Sequence, residues 1–172
     1  MTFAQKLGGS YEAVKDQVKI KKLTIEVGTV KFDVRVRIPL KKEMEALIEE
    51  VANPSEEIIN RIFDRLSKPV LDSVKEGGED FLKAINAEKD VIVITKDDLM
   101  LDGQSVRQIA MFTAMWENKV ERYFHLLQSE SGTPIDETFD QIAEEFPEPV
   151  IRQIVEAIEA SIKPDYKSSK KN

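Results

Sequence analysis

The chain holds one histidine, His125, and no cysteine in its 172 residues. Thiolate nucleophiles, disulfides and cysteine-ligated metals are therefore excluded. Imidazole catalysis would need a nucleophile beside His125 and a third group to orient the ring. Helical phase instead sets His125 with Arg107 and Asn118 on the polar side of a long helical pattern, opposite Trp116 and Val120, where a solvated side chain is expected. Asp98, Asp102 and Gly103 are spaced like part of a calcium loop, but the third and twelfth loop positions fall on Met100 and Ile109, where oxygen ligands are required. Gly77-Gly78 and Gly8-Gly9 lack the spacing and the Lys-Ser/Thr of a phosphate loop, so a helix stop and a flexible turn are the better readings. Glu56-Glu57 and Glu144-Glu145 offer paired carboxylates, yet nothing in their neighbourhood marks an apolar pocket, and both pairs read as solvated faces. No catalytic residue, metal ligand or cofactor is expected, and the chain does not read as an enzyme.

The residues that stand out are apolar. Over 105–128 a helical stripe of Val106, Ile109, Thr113, Trp116, Val120, Tyr123 and Leu127 recurs at spacings of three and four. Met111, Met115 and Leu126 form a second flank roughly a third of a turn away, so this central helix is apolar over more than the usual arc of about 100°. Two readings remain open: contact with the domain's own helices, or a methionine-rich surface for oligomerisation or for gripping apolar segments of a partner. On the second reading the partner-binding residues are Met111, Phe112, Met115 and Leu126.

The elements that would hold this helix are equally patterned. Leu23, Ile25, Val27 and then Val30, Phe32, Val34, Val36 and Ile38 alternate with polar residues, which is the period of a half-buried sheet. Gly28-Thr29 separates the runs as a two-residue type II′ loop, setting Val27 opposite Val30, Ile25 opposite Phe32, Leu23 opposite Val34 and Glu26 opposite Lys31. Such a hairpin is marginal alone, so its apolar face needs helices, a third strand or another subunit. After Pro39 a helix carries Leu40, Met44, Leu47, Ile48 and Val51. A second helix is expected to open with Asn53 as cap and Pro54 at its first position, to stop or kink before Pro69, and to continue brokenly to Gly77-Gly78. The β-branched run 91–94 reads as a short buried strand joining the hairpin, with a buried helical turn as the alternative. Thr133-Pro134 is expected to open a helix bearing Phe139, Ile142 and Phe146, and Pro147-Glu148-Pro149 to separate it from a last helix that Pro164 ends. The sum is an α+β fold, predominantly α-helical: an N-terminal antiparallel hairpin (18–38) packed on a helical body of about five to six helices (40–162). A segment 1–17 precedes this single globular domain, and a basic flexible tail (163–172) follows it.

Composition sets the class. With 41% hydrophobic and 33% charged residues the chain supports one ordinary core, and its longest uninterrupted apolar candidate, 91–94, is far short of the roughly 18 residues of a membrane helix. The first residues lack the basic, apolar and small-residue regions of a secretory signal, so an intracellular home is expected. The formal charge of −7 is uneven: residues 1–42 carry +6, residues 163–172 carry +3, and the stretch between carries −16. An acidic body argues against nucleic acid as the main ligand. It also permits head-to-tail self-association, with the basic end of one subunit on the acidic surface of the next.

Three stretches carry a family resemblance: VIVITKDDLMLDG at 91–103, SVRQIAMFTAMWENKVERYFHLL from Ser105, and IRQIVEAIEASIKPDYKSSKKN from Ile151, above all its Ile162-Lys163-Pro164-Asp165-Tyr166-Lys167. They cover about half the chain, and the C-terminal half in which they lie resembles the tail assembly chaperones of long-tailed (siphovirus-type) phages and prophages. None is a catalytic motif, and the hairpin adds little to the likeness. The resemblance implies a non-enzymatic factor of the host cytoplasm that coats the tape-measure protein, helps recruit tail-tube protein and is absent from the finished virion. It also implies, for many members, a longer frameshifted form that meets the tube protein, for which Lys170-Lys171 fit an adenine-rich slippery stretch. A homo-oligomer is the expected state. The alternatives are a structural tail subunit, such as a tube or completion protein whose hairpin adds to a neighbour's sheet, and a small DNA-binding regulator using the basic hairpin.

Overall fold

The computed structural model describes residues 1–163, so the basic tail lies outside the described residues except for Lys163. In chain order the elements are α1 (Phe3–Lys6), α2 (Gly9–Lys19), β1 (Ile20–Val27), β2 (Val30–Arg37), α3 (Lys41–Ala52), α4 (Glu56–Ile85), β3 (Ile92–Ile94), β4 (Leu99–Leu101), β5 (Gln104–Ser105), α5 (Val106–Phe124), β6 (Leu127–Gln128), α6 (Phe139–Glu145) and α7 (Glu148–Ile162). The fold is α+β and mainly helical, with two small antiparallel sheets. The two helices before the hairpin were not signalled by any strong apolar period, and α2 runs directly into β1. Contacts group into two compact units, one of Met1–Ile48 with the chain from Lys119 onward, the other of Glu49–Asn118, so the body expected over 18–162 comprises parts of both.

In the first unit the hairpin has the register that the alternation dictates, Val27↔Val30, Ile25↔Phe32, Leu23↔Val34 and Glu26↔Lys31. Gly28 takes φ +61° while Thr29 stays in the ordinary negative region, as a type II′ turn requires. The face bearing Ile25 and Val36 is buried, and α7 lies along β1. Lys21 shares that face opposite Val36, and it resolves the conflict by donating from Nζ to Ser161 O at the C-terminal end of α7, 3.2 Å away. The third strand of this sheet is β6, paired through Leu127 and Gln128 with Val36 and Arg35 and extended by Arg37 N donating to Leu126 O at 2.8 Å. Where β2 leads into α3, the Glu43 carboxylate accepts from Leu40 N at 2.7 Å and pairs with Arg37 at 2.9 Å; these contacts, the Leu40 bond foremost, hold its carboxyl below the ordinary range. Glu159 on α7 pairs with Lys119 of α5 at 3.0 Å and with Lys163 at 2.5 Å.

The second unit corrects several expectations. The run 91–94 does form a strand, but β3 pairs with β4 and β4 with β5 in a sheet of their own, and only Ile92 of the strand is buried. Partners a few residues away cost far less loop-closure entropy than a hairpin sixty-odd residues upstream. The signal was present in Asp102-Gly103, both at positive φ (+49° and +80°), the dipeptide of a type I′ hairpin joining Leu101 to Gln104. Asn53 does not cap α4: its N–H and side-chain amide both donate to Glu49 O at the end of α3, and Ser55 is the cap, accepting from Ile58 N. Helix α4 does not stop at Pro69. That residue offers no N–H to the carbonyl of Arg65, but Phe63 before it and Val70 and Val74 after it pack on Ile92, Leu99 and Val106, and burial on both sides carries the helix through. The break comes at Gly78, with φ +66° and ψ −162°. Gly77 is needed for space, since a Cβ there would lie 2.4 Å from Phe81 Cβ.

Two further boundaries move. The central helix ends at Phe124, not Gln128, and α6 opens at Thr138, whose hydroxyl and the Gln141 side chain form a capping box, not at Thr133-Pro134. The Pro147-Glu148-Pro149 break is present as expected, with Pro147 as the cap of α7.

Gly78 occupies a region of backbone space that is essentially glycine's alone. Gly78→Ala is expected to destabilise the protein by about 1–3 kcal/mol, read as a lowered urea midpoint at unchanged slope; an unchanged midpoint would contradict the kink.

Candidate functional site

The start of α5 is set by one carboxylate. Asp98 Oδ1 accepts from Leu99 N at 2.7 Å and Arg107 N at 3.0 Å, and Oδ2 accepts from the Ser105 hydroxyl. Ser105 Oγ in turn accepts from Gln108 N at 3.0 Å, capping the first turn. Partial burial pushes the Asp98 carboxyl upward, but the bonds from Ser105, Arg107 and Leu99 and the charge of Arg107 outweigh it and hold it below the ordinary carboxylate range. Arg107 is itself locked, with its guanidinium 4.5 Å from the Phe63 ring centroid and its donors on Asp97 O and Asn60 Oδ1.

From that start the buried line of α5 runs through Val106, Ala110, Ala114, Glu117, Val120 and Tyr123. Ala110 and Ala114 pack against Ile59 and Ile62 of α4. Glu117 is buried within 3.6 Å of both Arg61 and Arg65 of the same helix. Val106, Val120 and Tyr123 of the expected stripe lie on this line, but Ile109, Thr113 and Trp116 do not, and Ala110, Ala114 and Glu117 take their place. The alanines are covered by the larger Ile59 and Ile62 of the facing helix, and hydropathy alone ranks alanine below the larger residues left outside.

The consequence is an outward face of large apolar side chains on a fixed helix: Ile109 is 41% exposed, Met111 36% and Phe112 56%. Met115 and Trp116 continue it half-buried. Of the four partner-binding residues expected from the sequence, Met111 and Phe112 are therefore accessible and adjacent, and Met115 flanks them. Leu126 is not part of this face: it is 5% exposed and lies past the end of the helix, where its carbonyl accepts from Arg37 N. Helical phase cannot be carried beyond Phe124.

A second concavity lies wholly in the first unit. Phe32 and Val34 of β2, Phe124 and Leu127, Ile135, Ile142 and Phe146, and Ile154 of α7 enclose a cleft of about 220 Å³. Phe124 and Phe146 meet edge to face, 5.7 Å between centroids. The ionisable lining groups are Glu137 and Glu145, with Gln141 between them. His125 serves this cleft and does not lie solvated on a helix face: Nε2 is 2.8 Å from Glu137 O, and because a carbonyl only accepts, Nε2 carries the proton. Together with Phe139 N donating to Glu121 Oε2, that bond fixes the segment that brings Ile135 to the wall.

For chemistry the arrangement offers little. Among the described residues no group of three His, Cys, Asp or Glu side chains is placed to hold a metal, and Glu56, Glu57, Glu144 and Glu145 are all exposed. No family model matches the chain, and neither does any curated protein or solved structure.

Ala114 is fully buried and Phe112 is not, so Ala114→Leu is expected to cost about 1–3 kcal/mol by overpacking, while Phe112→Glu stays within roughly 0.5 kcal/mol of the parent; chemical denaturation of the pair checks which side of α5 is inside. Asp98→Ala is expected to cost about 1–2 kcal/mol, as for loss of a helix cap. Because the folded-state pKa of Asp98 is depressed, its contribution is present above the unfolded carboxylate pKa and is lost as pH falls through the folded value. The parent should therefore lose stability on acidification more steeply than the variant, and parallel curves would remove Asp98 from this role.

Proposed function

We propose that the protein is a tail assembly chaperone of a long-tailed phage or prophage. It acts in the host cytoplasm, binds the tape-measure protein and shields its apolar helical surface, promotes assembly of the tail tube, and is left out of the virion. The observation that carries this reading is the outward side of α5, where Phe112 is the most exposed apolar residue, with Ile109 one turn before it on one flank and Met111 and Met115 on the other, on a helix whose opposite side is packed. Methionine and aromatic side chains on such a face adapt to varied apolar partners. The three stretches of resemblance support the same reading, and the middle one is α5 itself. Tail-tube protein is the second partner, reached through a frameshifted longer form. Neither nucleic acid nor a membrane is part of the reading, and among the described residues no helix is long and apolar enough to cross a membrane.

A second reading, a structural tail subunit, is favoured by the edge of β2. Strand β6 covers only Arg35 and Val36, so the stretch from Val30 to Val34 is paired on one side and open to strand addition on the other.

Co-expression with the tape-measure protein of the same genome is expected to render that rod soluble and to co-purify the two, and Met111→Glu with Phe112→Glu is expected to abolish the co-purification while the variant remains folded. Retained binding in the double variant would place the contact elsewhere. An insoluble rod, together with this chain at fixed stoichiometry in purified particles by mass spectrometry, would establish the structural subunit instead.

A further inference from the structure

We propose that the protein associates with a second copy of itself through its N-terminal arm, Phe3 of one copy entering the apolar cleft of the next and Lys6 meeting the acidic rim. This does not rest on the chaperone reading and concerns a different surface.

The arm is an uncovered apolar element. Phe3 is 75% exposed on α1, with Leu7 beside it, and Tyr11, Val14 and Val18 line one face of α2 at spacings of three and four, all exposed. Its root is fixed, because α2 passes without a loop into β1 and Lys19 O accepts from Ile38 N at 2.6 Å. The cleft is the matching shape. At about 220 Å³ it is smaller than the roughly 300–1,000 Å³ of a small-molecule site, a size that suits one aromatic side chain. Its floor already contains the Phe124–Phe146 edge-to-face pair, which a third ring extends.

Charge selects the occupant. Among the described residues, the ionisable groups of the cleft lining are both carboxylates, Glu137 and Glu145. A segment that brings an aromatic residue together with a cation is therefore favoured. Phe3 and Lys6 stand three residues apart on α1 and so share a side, which places the cation of the arm beside its most exposed aromatic ring. Arm and cleft are different surfaces, so the contact is heterologous, and repeated head to tail it builds a ring or an open spiral.

Sedimentation velocity of the full chain over a concentration series tests this. The expected result is association of the parent that weakens with salt, and its loss in Phe3→Glu and in Ile135→Glu alone. An equimolar mixture of these two variants should form 1:1 dimers, since one retains the cleft and the other the arm. Should Ile135→Glu fail to fold by circular dichroism, charge reversal decides: Lys6→Glu and Glu145→Lys each weaken association singly, and their mixture recovers it. A parent that is monomeric throughout, a Phe3→Glu variant that associates like the parent, or mixtures that recover nothing would overturn the proposal, the second by assigning the cleft to another occupant.

Discussion

The placement of α5 depends on a contact made by its two smallest side chains. Ala110 and Ala114, both fully buried, form the line on which Ile59 and Ile62 of α4 rest. Ile59 and Ile62 fill the space over the two alanines, so the side of α5 that meets α4 carries small residues while Ile109 and Phe112 lie outside it. Leaving Phe112 and Ile109 about half exposed forgoes on the order of 1 kcal/mol of burial for each side chain. The phase of the helix is further fixed by Glu117, whose buried charge is matched by Arg61 and Arg65 of the same helix that supplies Ile59 and Ile62. A buried carboxylate with two cations has little tolerance for rotation of its helix, because turning α5 to bury Phe112 would leave Glu117 unpaired.

In the first unit the corresponding constraint is register. A slip of one residue would carry Ile25 and Val36 to the solvent face together, and would strand Lys21 away from the α7 carbonyl that receives it. The cleft inherits this precision: Phe32 and Val34 reach it only because Val36, two residues on, is committed to the core, and Leu127 reaches it because β6 is paired to Arg35 and Val36. The other wall is irregular chain, and it is held by hydrogen bonds at His125 and Glu121. A polar residue of unremarkable type thus shapes an apolar site without lining it.

What was legible in the sequence divides along the same physical lines. The hairpin, its turn type and every cross-strand pair were readable, because period two and a two-residue glycine loop leave one register. Helix α3, the Gly78 break and the Pro147 boundary were readable for the same reason, as local chemistry with few competitors. The core face of α5 was read correctly at Val106, Val120 and Tyr123 and missed between them, because hydropathy weights Ile109 and Trp116 above the alanines that meet Ile59 and Ile62. Pro69 was overrated as a stop because the burial on either side of it is tertiary information. Of the four residues expected to meet a partner, Met111 and Phe112 are exposed, and the excess of apolar residues on one helix was the legible sign of it. Leu126 was lost with the last helical turn, and the cleft was not seen at all, since its lining is drawn from five separate elements. His125 pointed toward it, but a lone histidine carries no sign of which carbonyl it will meet.

The start of α5 is held by local contacts as well as by its packing on α4. Asp98 reaches Ser105 and Arg107, seven and nine residues away, and with the Asp102-Gly103 turn it joins strand, cap and first helical turn into one locally closed loop. Contacts of such short separation cost little loop-closure entropy. With the first turn pinned at both Ser105 and Arg107, the phase of every later residue follows at 3.6 residues per turn as far as Phe124. Phe112 is therefore aimed outward by a carboxylate fourteen positions upstream, and the same rigid phasing that denies it a place in the core keeps the exposed face from rearranging to hide it.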